Sequence, residues 1–142
     1  MILLAFGVFL FAALHLLPAL PALKQQVRAK VGEALYGPVY GAVSIAAVIL
    51  IVMGWRLSDF VAVYDPPAFG APANFVFMFV AFQCLAVFLF RGRLRQVLRF
   101  PMGIAVVLWA TGHLLANGDA ASLILFGGLM AYALIHMGLG FA

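Results

Sequence analysis

Three histidines, His15, His113 and His136, fall inside apolar runs of this 142-residue chain. An ionisable group at membrane depth is costly, so each needs a partner or a purpose. Imidazole offers three chemistries there: haem axial ligation, proton transfer near neutral pH, and hydrogen bonding as a neutral group between helices. Three such residues together weigh against a purely packing role. His113 stands in the stretch WATGHLLANGD at 109–119, where Trp109, His113 and Asn117 recur every fourth residue and share one helical stripe. Lipid has no partner for an imidazole or a carboxamide, so that stripe must face other helices. His15 lies one turn from Phe11 and two from Gly7, with Ala12 and Ala19 near it, small residues that allow close helix approach or room for a flat cofactor. His136 shares a face with Gly128, Tyr132 and Gly140, which is also an ordinary packing stripe.

The elements that position these side chains follow from composition. The chain is 68% hydrophobic and 8% charged, with a mean hydropathy of +1.21. A soluble domain carries roughly a quarter charged residues. The pattern is that of an all-α polytopic membrane protein, a single domain over residues 1–142. The net charge of +4 does not point to nucleic acid, because the cations sit in short loops between apolar runs, where they mark topology and meet lipid head groups. The lone Cys84 excludes an internal disulfide.

Five runs, about 1–23, 38–55, 74–90, 101–117 and 120–141, approach the ~20 residues a membrane helix needs. Pro18 and Pro21 end the first before a basic loop. That run has no preceding Lys or Arg and no clear Ala-x-Ala site, so it reads as a span rather than a cleaved leader. Alternating the loops puts Lys24, Arg28, Lys30, Arg91, Arg93, Arg95 and Arg99 on one side and Arg56 alone on the other. The positive-inside rule then predicts a five-transmembrane-helix bundle with its N-terminus outside and its C-terminus cytoplasmic. Tyr64-Asp65-Pro66-Pro67 stiffens the longest connection, about 57–73, into an extended segment along the outer surface. Asn117-Gly118-Asp119 reads as a tight turn, with Gly118 left-handed and Asp119 capping the last helix.

Counting down from the outer ends at about 1.5 Å per residue puts His113 roughly 9 Å deep and His15 and His136 about 21 and 25 Å deep. Depth alone favours His15 with His136. Helix tilt and approach from opposite sides of a metal leave His15 with His113 open. Gln83 reads as an interhelical hydrogen bonder and Cys84 as a small buried hydrophobe. No phosphate-binding loop, dinucleotide fingerprint, zinc spacing or nucleophile triad occurs, and no inverted repeat or buried carboxylate supports a proton-linked transporter.

HLLPALPAL at 15–23, YDPP at 64–67, GRLRQVLRFP at 92–101 and above all LWATGHLLANGDAASLILFGG at 108–128 resemble the NnrU family of bacterial membrane proteins, in family order over nearly the whole chain. The resemblance implies a multi-pass protein of the bacterial cell inner membrane associated with nitrite and nitric oxide reduction, that is, with denitrification. The family is also similar to the plant zeta-carotene isomerase, whose activity depends on haem b bound by membrane histidines. Carried over by position, the resemblance implies haem b in this chain, with His15 and His113 as axial ligands to the iron and Trp109 shaping the pocket; His136 matches no family motif and stands as a substitute partner of His15 on depth alone. Two departures limit the transfer. Phe100-Pro101 replaces the His-Pro common in the family, and Ala110 stands where the isomerase has a cysteine, so the isomerase reaction and its ligand switching do not carry over. If the protein is an enzyme, the chemistry implied is haem-dependent isomerisation or redox chemistry on a lipid-soluble substrate. The alternative is a haem-free accessory or assembly protein for a membrane or periplasmic denitrification enzyme.

Overall fold

Two prolines divide the first apolar run. Helix α1, Ile2–Leu16, gives way to a 3-10 turn at Leu17–Ala19, and α2, Pro21–Val31, starts afresh with proline in its first turn, where no intrahelical N–H is lost. The computed structural model describes residues 1–90 and 92–141. Arg91, part of the expected basic cluster, and Ala142 lie outside the described residues. The stretch that carries Lys24, Arg28 and Lys30, expected as a loop, is therefore helical. Gly32 follows with φ +88° and ψ 146°, a backbone conformation that favours glycine, and it separates α2 from α3, Glu33–Arg56.

These elements form the first of two compact units, Met1–Asp59. Within it α1 and α3 run antiparallel at close range, because Gly7 meets the backbone of Ile51 and Gly54 that of Leu4. A Cβ at Gly7 would stand 2.8 Å from the Ile51 nitrogen, so the approach depends on having none.

The second unit, Phe60–Ala142, holds α4, Gly70–Leu89; a short α5, Leu94–Val97; α6, Pro101–Ala116; and a last helix in three parts. Those parts are α7, Ala120–Ser122, a π-helical turn at Leu123–Gly127, and α8, Gly128–Phe141. Helix α6 is central. It packs antiparallel against α4, with Gly70 at Leu115 and Gly112 at Asn74, and antiparallel against α8, with Gly103 at Met137 and Phe100 at Gly140.

The described residues are helical apart from turns and one isolated bridge, Ala62 to Asp119. Four helical stretches are long and apolar enough to cross a membrane: Ile2–Ala19, Glu33–Arg56, Gly70–Leu89 and Ala120–Gly140. The remaining stretch, expected as a fifth span, is a shorter apolar helix, Pro101–Ala116, 16 residues or about 24 Å long. Large apolar side chains are exposed along these helices, Phe75 at 78% and Phe79 at 67% among them, which suits a protein whose solvent is lipid. Cys84 is buried as expected, whereas Gln83 is exposed on α4 rather than bonded across helices.

Candidate functional site

The segment 109–126 supplies both walls of the site, and a turn pinned from outside folds it back on itself. Asn117 closes α6: its backbone N–H and its side-chain Nδ2 both donate to the His113 carbonyl, each at 2.9 Å. Asp119 opens the next helix, its carboxylate accepting from the Ser122 N–H at 3.0 Å and from the Ser122 hydroxyl at 2.6 Å. Burial pushes the Asp119 carboxyl up, but hydrogen bonds from the Ser122 side chain and from backbone N–H groups outweigh it and hold the group below its usual range.

The expected extended segment fastens this turn. Val63 and Tyr64 donate their N–H groups to the Gly118 carbonyl at 2.8 and 3.1 Å, and Ala120 donates to Val61 at 2.9 Å. The Tyr64 hydroxyl bonds the Leu114 carbonyl and, at 2.7 Å, that of Asn117. Gly118 is not left-handed as expected; among the described residues the only positive φ belongs to Gly32. Its glycine has another cause, since a Cβ there would fall on the Tyr64 carbonyl oxygen.

His113 stands one turn before this junction. Its Nδ1 donates to the Trp109 carbonyl at 2.8 Å. A carbonyl only accepts, so the neutral ring carries its proton on Nδ1 and its lone pair on Nε2. That is the tautomer of a metal ligand, or a proton acceptor, acting through Nε2. Phe126, from the π turn, stacks on the imidazole with centroids 4.4 Å apart and planes 23° apart. Trp109 completes the cluster, 5.2 Å from the His113 ring and edge-on to Phe126 at 4.8 Å. Phe126 lies within the π turn Leu123–Gly127, one turn after Ser122, so one continuous helix supplies both the cap partner and the ring.

His15 repeats the device in the first unit. Its Nδ1 donates to the Phe11 carbonyl at 2.8 Å, Phe11 stacks on it with centroids 3.9 Å apart, and Tyr40 of α3 stands 5.9 Å away. His136 has a related neighbour, Tyr132, one turn before it on α8 at 5.9 Å. The structure thus joins His113 and Trp109 in one cluster of the second unit, sets His136 further along α8, and holds His15 in the first unit.

Trp109 also lines an apolar cavity of about 240 Å³ between α4 and α6, with Met78, Phe82, Met102 and Val106. Small-molecule pockets run from about 300 to 1,000 Å³, so this cavity does not by itself enclose a macrocycle. It offers an apolar wall beside the Trp109–His113–Phe126 cluster. Among the described residues no three His, Cys, Asp or Glu side chains converge as a multi-ligand metal site would require.

Phe126 and Asn74 escape a reading of the sequence. Phe126 is one phenylalanine among 14, and only the π turn aims it. Asn74 lies against Gly112, the neighbour of His113, with its Oδ1 buried and without a hydrogen-bond partner among the described residues.

Four stretches long and apolar enough to cross a membrane, in described residues that are helical apart from turns, mark a membrane protein, with an imidazole–aromatic cluster inside its second unit. Residues 3–140 match the family model described as NnrU protein, and the chain belongs to that family. Neither a curated protein nor a solved structure matches it.

Proposed function

We propose that this NnrU protein crosses the bacterial inner membrane five times, N-terminus outside, and binds haem b with His113 and His15 as axial ligands, in the service of nitrite and nitric oxide reduction. The observation that carries the reading is a pair of matching contacts between imidazole Nδ1 and a backbone carbonyl. Both imidazoles spend Nδ1–H on the carbonyl four residues back, at 2.8 Å in each case, and so present Nε2 as the basic nitrogen. Their pairing as ligands rests on the family resemblance, with His136 as the substitute partner of His15. The orientation rests on the Lys and Arg distribution.

Bound haem would supply redox or Lewis-acid chemistry at iron. The chain's own part is to hold the imidazoles. Phe126 stacks on the His113 ring with Trp109 beside it, and Phe11 stacks on His15 with Tyr40 beside it. The carbonyl bond at Nδ1 raises the basicity of Nε2.

A pyridine haemochrome spectrum of the detergent-purified full chain, expressed with haem supplementation, tests the reading. One b-type haem per chain is expected, with His113→Ala and His15→Ala each altering the Soret band. A chain that purifies without Soret absorption refutes haem binding, and histidine variants that change only association with a denitrification enzyme place it instead as an accessory protein. A spectrum unchanged in both variants removes these ligands while leaving the haem.

A further inference from the structure

Helix α2 turns two of its cations inward. Lys24, Val27, Arg28 and Val31 form its half-buried stripe, while Leu23, Gln26, Ala29 and Lys30 are exposed. Lys24 and Arg28 line a polar cavity of about 380 Å³ with Pro18, Pro21, Gln25 and Glu33. The Arg28 guanidinium pairs with the Glu33 carboxylate through Nη2 and lies 5.5 Å over the Tyr36 ring, yet its Nε is buried with no hydrogen-bond partner among the described residues. The charge itself is paired and the side chain is 40% exposed, so what is left unmet is one buried N–H donor. Lys24 and Arg28 against Glu33 leave the cavity one net positive charge.

The cavity's place in the first unit narrows what it takes. It sits where the Ile2–Ala19 span ends and the Glu33–Arg56 span begins, the level at which hydrocarbon gives way to lipid head groups. Beside it, α1, α2 and α3 leave an apolar furrow of about 50 Å³ whose walls include Leu17, Val27, Val31, Val39 and Tyr36. Tyr36 joins the two features, since it lies under the Arg28 guanidinium and also walls the furrow.

We propose that this cavity is a binding site for one anionic phospholipid of the phosphatidylglycerol type. Its phosphodiester is held by Lys24 and by the half-exposed Arg28 guanidinium, its glycerol by Gln25, and the first carbons of its chains lie in the furrow while the rest run down the exposed apolar faces of α1 and α3. The single positive charge matches a monoanionic phosphodiester. A multiply charged phosphoinositide would meet Glu33 unfavourably. Lys30, on the outer face of the same helix, takes no part.

Native mass spectrometry of the detergent-solubilised full chain, titrated with dioleoyl phosphatidylglycerol or dioleoyl phosphatidylcholine, tests the assignment. One phosphatidylglycerol is expected to bind in preference to phosphatidylcholine. Lys24→Gln lowers its affinity about tenfold, Lys24→Arg restores it, Lys30→Gln leaves it unchanged, and millimolar inorganic phosphate does not displace it. Equal affinity for the two lipids, or equal losses from Lys24→Gln and Lys30→Gln, overturns the proposal. Displacement by inorganic phosphate alone overturns it too, by making the site one for a free anion.

Discussion

Phe126 stacks on His113 from the neighbouring helix, ring centroids 4.4 Å apart, and it is itself only 6% exposed. The contact joins the two sides of the folded segment and sets the plane of the imidazole. Phe126→Ala removes one face of the His113 site and leaves a cavity, and the expected loss of stability is about 3 kcal/mol. Trp55 and Trp109 are the two tryptophans, so a Trp55→Phe background isolates the emission of Trp109. Thermal unfolding in that background should show a lower midpoint and a shifted initial emission for Phe126→Ala, with Phe126→Leu intermediate. An unchanged emission would mean that the rings are not in contact.

Tyr64 holds the outer segment to the end of α6 through its hydroxyl. Tyr64→Phe keeps the ring and loses the donor, at about 1 kcal/mol. Hydrogen exchange should report the loss locally, as faster exchange of the Val63 and Tyr64 amides, which donate to the Gly118 carbonyl.

Two glycines in the same segment should respond in opposite ways. At Gly118 an added Cβ meets the Tyr64 carbonyl and comes within 3.1 Å of Pro66 Cδ, so Gly118→Ala should cost about 1–3 kcal/mol by overpacking. At Gly127 nothing lies within 4 Å of that position, and Gly127→Ala should leave stability unchanged or raised by up to about 1 kcal/mol. Chemical denaturation of the two variants side by side checks the contrast.

Asp119 makes the turn acid-sensitive in a defined direction. Its folded-state carboxyl is held below the unfolded value of about 4, so its contribution is complete above that value and fades as pH falls through the lower folded value. Asp119→Ala should therefore cost about 1 kcal/mol near pH 7, through the lost cap, and the gap from the parent should close below about pH 4. Unfolding midpoints measured at pH 7 and pH 3 give both ends of the comparison. A gap that widened at pH 3 would mean that the carboxylate is not the stabilising form.

The helices and the turn were legible because their signals are local. Pro101 and Asn117 bracket α6 in the sequence and in the structure, and Asp119 caps as its position foretold. Apolar length located α3 and α4 but started them late, at 38 and 74 rather than Glu33 and Gly70, since an early proline in a helix reads as a boundary. What local pattern could not supply was anything decided across helices. Gly118 looked like a backbone turn residue, yet its constraint comes from Tyr64, far away in the chain. Gln83 looked like an interhelical donor because it is polar, but a one-residue difference in helical phase puts it outside while Cys84 is buried. The stripe of Trp109, His113 and Asn117 was visible; the phenylalanine that covers it was not, because the π turn changes phase within an unbroken apolar run.

That turn also gives the last helix a peculiar mechanical character. Residues before and after Leu123–Gly127 belong to one rod but to two angular registers, so their faces are indexed separately. Removing a single residue inside the turn would straighten the rod into uniform α-helix and swing Phe126 off His113 by about a quarter of a revolution, while leaving composition, hydropathy and span length almost untouched. The shape of the imidazole's surroundings is thus set by a residue count, and a relative of this chain one residue shorter between Ser122 and Gly128 would keep its histidine and lose its cover.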